Sequence, residues 1–264
     1  SDVYKRQVLS ITDNLTIIIL TLTDSSLKTP MYYFLRNFSF SEITFTSVSI
    51  PKFLGAIITK VKTISYNNCL AQLFFFIFMG SSEFFLLAAM SYDRYVAICK
   101  PLHYTTVLTG SLITKIGMAA VARAVTLMTP LPFLLRCFHY CRGPVIAHCY
   151  CEHMAVVRLA CGDTSFNNIY GIAVAMFIGV LDLFFIILSY IFILQAVLQL
   201  SSQEARYKAF GTCVSHIGAI LSTYTPVVIS SVMHRVARHA APRVHILLAI
   251  FYLLFPPMVN PIIY

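Results

Sequence analysis

Three carboxylates stand inside apolar runs of this chain: Glu42, Glu83 and Asp182. An ionisable group in hydrocarbon is costly unless it is paired, neutralised or put to use, so each marks a place for ion or proton chemistry. A fourth acid, Asp93, precedes Arg94 and Tyr95 where a long apolar run ends in MSYDRYVAICKPLHY, residues 90–104. A charge pair at that point marks where a spanning helix leaves the lipid. Five cysteines (Cys137, Cys141, Cys149, Cys151 and Cys161) crowd one segment, and the run His148-Cys149-Tyr150-Cys151-Glu152-His153 has short His/Cys spacing that can hold zinc or copper. No nucleophile–base pair with sequence context, phosphate loop or zinc-protease motif is present, so catalysis is not expected.

The elements that must carry these groups are membrane helices. Of the 264 residues 58% are hydrophobic and 11% charged, with mean hydropathy +0.79, against about a quarter charged in soluble domains. Spans of about 20 residues cross the hydrocarbon, and the apolar blocks allow seven. The first, Val8 to Leu22, is interrupted by Asp13 and Asn14 and is short. The others run near 30–58, 69–94, 112–135 (ended by Pro130 and Pro132), 166–198, 208–233 and 244–264. A cysteine-rich loop of about 136–165 separates the fourth from the fifth. Residues 1–7 read as a leader foreign to the fold, 8–264 as the membrane domain, with the first helix and the C-terminal tail truncated.

The net charge of +9 is scattered among loops, not gathered on a face, so no nucleic-acid partner is expected. Lipid is the expected surrounding. Basic residues at the two ends are too balanced to orient the chain by charge. Dense cysteine requires an oxidising side, which places the loop outside and the Arg94 end in the cytosol. No internal duplication is visible, which argues against a repeat-built transporter. A transporter or channel using Glu42, Glu83 and Asp182 for ions remains the rival reading.

Five ordered motifs bear on the choice: Thr29-Pro30-Met31-Tyr32, MSYDRYVAICKPLHY, Ser189-Tyr190, KAFGTCVSH at 208–216 and PPMVNPIIY at 256–264. Together they resemble the odorant (olfactory) receptors, which are rhodopsin-like (class A) G-protein-coupled receptors. The likeness covers about Val8 to Tyr264. The first half, to about Tyr104, looks like the class II group. From about Thr109 onward, with CEHMAVVRLACGD, Asp182 and SSVMHRVARH, the chain looks like the fish-like class I group, the pattern of a hybrid.

That resemblance implies an all-α seven-transmembrane bundle with disulfides Cys69 to Cys151 and Cys141 to Cys161, the first of which competes with the metal reading of Cys151. It implies a plasma-membrane receptor, in the cilia of olfactory sensory neurons, that binds a small volatile odorant and activates a heterotrimeric G protein of the olfactory stimulatory type to raise cyclic AMP. The residues it assigns to activation and coupling are Asp93, Arg94, Tyr95, Tyr190, Lys208, Asn260, Pro261 and Tyr264. Arg94 would pair with Asp93 at rest. No organic cofactor is implied, but Glu42 and Glu83 look like a sodium site, against the alternative that each acid is simply protonated and hydrogen-bonded.

Ligand contacts are expected from Phe76, Ile77, Gly80, Ser81, Val174, Ala175, Ile178, Tyr224, Ser231 and Arg235. Tyr224, Ser231 and Arg235 are spaced seven and four apart, which sets them on one helix stripe. In class I receptors the positions matching Ser231 and Arg235 look like a carboxylate anchor, so a short- to medium-chain carboxylic acid is the expected ligand. The open alternative for Arg235 is a loop cation beside Arg238 and Arg243. Ile77, where class I receptors carry histidine, suits a neutral odorant as well. His216 and His234 read as loop or interface histidines.

Overall fold

In the computed structural model the backbone is described for residues 2–58, 63–141, 143, 145–146, 150–236 and 242–264; within these, the side chains of residues 2, 51–54, 56–58, 231–236, 242–243 and 245 are not described. Seven long helices are present among the described residues: α1 (Asp2–Thr23), α2 (Pro30–Ile58), α3 (Tyr66–Cys99), α4 (Gly110–Met128, continued by Pro130–Arg136), α5 (Ser165–Gln199), α6 (Gln203–Val236) and α7 (Pro242–Ile263). Five of them, α3 to α7, are long and apolar enough to cross a membrane by themselves.

Their starts follow ordinary capping chemistry. The Ser65 hydroxyl accepts from the Asn68 N–H (3.3 Å) at the head of α3, and Thr109 accepts from Leu112 N–H (3.3 Å) at the head of α4. Pro130, which the sequence suggests as a terminator, instead opens the segment continuing α4, where its missing N–H is not needed. Helix α1 begins at Asp2 rather than Val8, and Gln7 is buried within it. Helix α6 begins at Gln203, a turn before Lys208, and α3 continues past Arg94 to Cys99.

Helix α3 is the central element and packs on α2, α4, α5 and α6. Its inner half carries Leu86, Leu87 and Met90 into a cluster with Phe34, Phe38, Ile186 and Ile220. Helix α5 shows the opposite balance: Phe177, Phe184, Phe185, Ile187 and Ile191 are exposed, which suits a helix whose outer face meets lipid. Helices α1 and α7 are joined by a backbone defect. Pro261 has no N–H to give the carbonyl one turn back at Pro257. That carbonyl accepts from Ser10 Oγ (2.9 Å) and Asn14 Nδ2 (3.0 Å) of α1.

At the other end of α3 from Arg94, a loop folds over the bundle. Two short strands, β1 (His139–Tyr140) and β2 (Ala160–Cys161), pair antiparallel with His139 opposite Cys161. Disulfides join Cys69 to Cys151 (Cα–Cα 5.4 Å) and Cys141 to Cys161 (5.9 Å). From Cys69 to Arg94 the helix rises about 38 Å at about 1.5 Å per residue, more than the about 30 Å of a hydrocarbon core. The sulfur bridges and the Asp93–Arg94 corner therefore lie on opposite membrane faces.

Candidate ligand pocket and activation core

The residues expected to meet a ligand gather beneath the loop. Phe76 stacks on Tyr150 of the loop (4.5 Å between centroids) and on Phe45 of α2 (4.4 Å). Ile77 lies between that stack and a second cluster containing Val174, Ile178, Met128, Leu131 and Phe84. A Cβ on Gly80 would lie 3.7 Å from the Tyr252 hydroxyl, so this wall is shared with α7. Tyr224 sets its ring against Phe84 at 4.6 Å, bringing α6 to α3. Ala175 does not join them. Val174 and Ile178 are one turn apart and buried, whereas Ala175 is rotated about 100° from Val174 onto the exposed face of α5. The side chains of Ser231 and Arg235 lie outside the described residues, as do His148 and Cys149. Among the described residues no three His, Cys, Asp or Glu side chains converge on a metal site.

Between pocket and cytosol lies a polar layer. Glu42 is 1% exposed and its Oε1 accepts from Asn260 Nδ2 at 2.5 Å; Asn260 in turn accepts from Ser222 Oγ and is 3.4 Å from Thr223 Oγ1. The second oxygen of Glu42 and Oε1 of Glu83 are buried without a hydrogen-bond partner. Two carboxyl oxygens left open beside an amide and hydroxyls form a hard-oxygen donor set of the kind a small cation takes, so the residues fit a sodium ion.

At the cytosolic end the expected Asp93–Arg94 pairing is not what forms. Asp93 accepts a 2.7 Å hydrogen bond from the Tyr104 hydroxyl, and the ion pair present among the described residues is elsewhere. Tyr104 follows the turn at Pro101, and burial, then the Asp93 bond, push its hydroxyl pKa up. Arg94 lies within electrostatic reach of Asp93 and also of Tyr190, Cys213, His216 and Tyr264. His216, expected in a loop or interface, is fully buried on α6 and shares a 2.7 Å hydrogen bond with Tyr190 of α5, with the Tyr264 ring 6.5 Å away. Tyr95 packs on Phe192 at 5.8 Å, Pro261 shapes the end of α7, and Lys208 is exposed at the head of α6.

Sequence reasoning also missed the partner of Asp182. Arg123 of α4 binds it through both nitrogens, Nη1 to Oδ1 at 2.6 Å and Nη2 to Oδ2 at 2.8 Å. The signal was available as a cation inside an apolar helix, which needs a counter-charge.

Residues 4–264 match the family described as Olfactory receptor. The chain belongs to that family. It is 74% identical over 256 residues to human "Olfactory receptor 52K1", covering 97% of this chain and 82% of that protein. It is 48% identical over 261 residues to human "Olfactory receptor 6C3", covering 97% and 82%. Squid rhodopsin shares the fold: TM-score 0.77, with 16% identity, over 99% of this chain and 74% of the rhodopsin. The chain is thus an odorant-sensing, rhodopsin-like seven-transmembrane receptor of the plasma membrane, not an enzyme, and its family couples to G proteins.

Proposed function

We propose that this olfactory receptor detects a short- to medium-chain carboxylic acid and raises cyclic AMP through a stimulatory G protein of the olfactory type. The observation that carries the acid reading is the spacing of Tyr224, Ser231 and Arg235, seven and four residues apart in the sequence, which sets them on one helix stripe, with Tyr224 packed on Phe84 of α3. A charge-assisted hydrogen bond to a guanidinium contributes about 1.5–3 kcal/mol, and each buried methylene about 0.8 kcal/mol. Three or four carbons then match the anchor. The apolar lining from Phe76, Ile77, Val174 and Ile178 supports such a tail.

Occupancy would act by binding the active arrangement more tightly than the resting one. The Tyr190–His216 bond ties α5 to α6 beside Arg94, so outward movement of α6 must break it and free Arg94 for the G protein. We also propose that Glu42 and Glu83 hold a sodium ion that favours the resting state.

The test is Arg235→Ala in full-length receptor, with surface labelling as the export control. Half-maximal acid concentration should rise about ten- to hundredfold, while neutral odorants keep their potency. Unchanged acid potency removes the anchor. Arg94→Ala should abolish cyclic-AMP responses to every agonist; a ligand-gated current surviving in that variant would favour the ion-channel reading.

A further inference from the structure

On the outer end of α3, Cys69, Gln72 and Phe76 are three and four positions apart and so share one face. All three meet the same two residues of the covering loop. Cys69 is bridged to Cys151, Gln72 Oε1 accepts a hydrogen bond from the Cys151 N–H (3.0 Å), and the Phe76 ring stacks on Tyr150 (4.5 Å between centroids, 28° between planes). The other end of the Gln72 amide donates to the Val48 carbonyl of α2 (3.0 Å), and the side chain is only 8% exposed.

The loop is thus held at one residue in two ways. The sulfur bridge sets how far Cys151 lies from α3, but a tether through side-chain torsions leaves the backbone free to turn. The amide grips that backbone directly, one turn along α3, and is itself held by α2. Its orientation is fixed, because a flipped amide would set its NH2 against the Cys151 N–H and its oxygen against the Val48 carbonyl. The Glu152 N–H closes on the Tyr150 carbonyl (2.9 Å), so the turn around Cys151 is tight. With distance and direction both set, Tyr150 lies on Phe76 in a cluster that Ile77 also joins, and its ring roofs the expected ligand wall.

We propose that Gln72 is a positioning residue for ligand selection: acting through Tyr150, its amide fixes the roof of the pocket and so limits how long a ligand the receptor accepts. This rests on the odorant-receptor reading, and on neither the Arg235 anchor nor the sodium site. Both polar atoms of the Gln72 side chain already have protein partners, so its effect on a ligand passes through the ring it places.

Full-length wild type, Gln72→Met, Gln72→Glu, Tyr150→Ala and the Gln72→Met/Tyr150→Ala double variant would be compared for surface level and for cyclic AMP with straight-chain acids from butanoic to decanoic and alcohols from 1-butanol to 1-decanol. Gln72→Met keeps the length of the side chain without the amide, and should raise the potency of the longest active members relative to the shortest about three- to tenfold. Tyr150→Ala should shift the profile the same way, and the double variant no further than Tyr150→Ala alone. Gln72→Glu retains the grip only when protonated, its O–H donating to Val48 and its carbonyl accepting from Cys151. In mildly acidic medium it should keep the length profile of wild type at the same pH, and in mildly alkaline medium, as an anion facing the Val48 carbonyl, it should move toward longer ligands. That contrast supplies the readout should Gln72→Met not reach the surface. A potency change equal at all lengths in Gln72→Met, a double variant whose shift is the sum of the two singles, or a Gln72→Glu profile identical in both media overturns the roof-setting role alone. Silent acids with active alcohols overturn the acid reading and leave the roof to be judged on the alcohols. A wild-type receptor that reaches the surface and answers neither series overturns the ligand reading and the roof with it.

Discussion

At the scale of single residues, the cytosolic corner and the outer loop each place an acid where its environment is decisive. Asp93 is buried and its bond to Tyr104 links the end of α3 to the turn that follows. Tyr104→Phe leaves that carboxylate without its donor, which should cost about 1–3 kcal/mol and appear as a lower melting temperature of purified receptor. In the loop, burial raises the Glu152 pKa from 4.5 to about 7, with Arg158 opposing. A carboxyl whose folded value lies above its unfolded value favours folding most below pH 4.5, and that contribution is lost as pH rises from 4.5 through about 7. Thermal stability attributable to this group should therefore fall across that window, and Glu152→Gln should flatten the profile. A fall of the same size in the variant would assign it to another group. Three residue-level readings differed from the structure: Ala175 faces outward, His216 is an internal partner of Tyr190, and Arg94 does not pair with Asp93. The first two turn on which face of a helix meets another helix, and the third on a partner supplied by the turn after α3; spacing along one helix does not contain that information.

At the scale of elements, two joints hold the bundle where side-chain packing alone is thin. The Pro257 carbonyl docks α1 on α7 through Ser10 and Asn14. Asn14→Leu should destabilise the receptor by about 1–2 kcal/mol in a thermal assay in detergent, and should loosen α1 before the rest. The loop is held by two bridges that close segments of different length, 82 and 20 residues in separation. Because loop-closure entropy grows with the logarithm of length, loss of Cys69–Cys151 should cost about 1 kcal/mol more than loss of Cys141–Cys161. Serine pairs at each bridge, compared by denaturation and surface expression, test the order. The bounds read for α2 and α5 match the helices almost to the residue; for α5 the reason is that the lipid imposes both the length and the apolar composition. The start of α1 and the continuation of α4 past Pro130 do not follow, since helix ends are set by caps and by the tertiary contacts of polar residues such as Gln7.

At the scale of the whole molecule, α3 connects the residues expected to meet a ligand, beginning at Phe76, to a cationic inner hinge about 27 Å away at about 1.5 Å per residue. Between them stand two polar layers, the Arg123–Asp182 clamp and the Glu42–Asn260 network. If agonist binding moves α6 outward, spin labels at exposed Lys208 and Thr106 should separate on agonist addition, and more readily in His216→Phe, which removes the bond to Tyr190. Unchanged distances in both would exclude that movement.

The amino-acid sequence by itself determined the membrane class, seven spans, the olfactory receptor motifs and, through them, the pairing of the cysteines. These are properties of composition, length and ordered local pattern, which survive without knowing what touches what. Only the tertiary structure decided that Arg123 neutralises Asp182 across 59 positions, that Tyr104 and not Arg94 satisfies Asp93, and which face of the uniformly apolar α5 turns inward. In lipid nearly every face of a spanning helix is apolar, so periodicity loses its power to tell inside from outside, and the rare polar group is placed by the partner it finds on another helix.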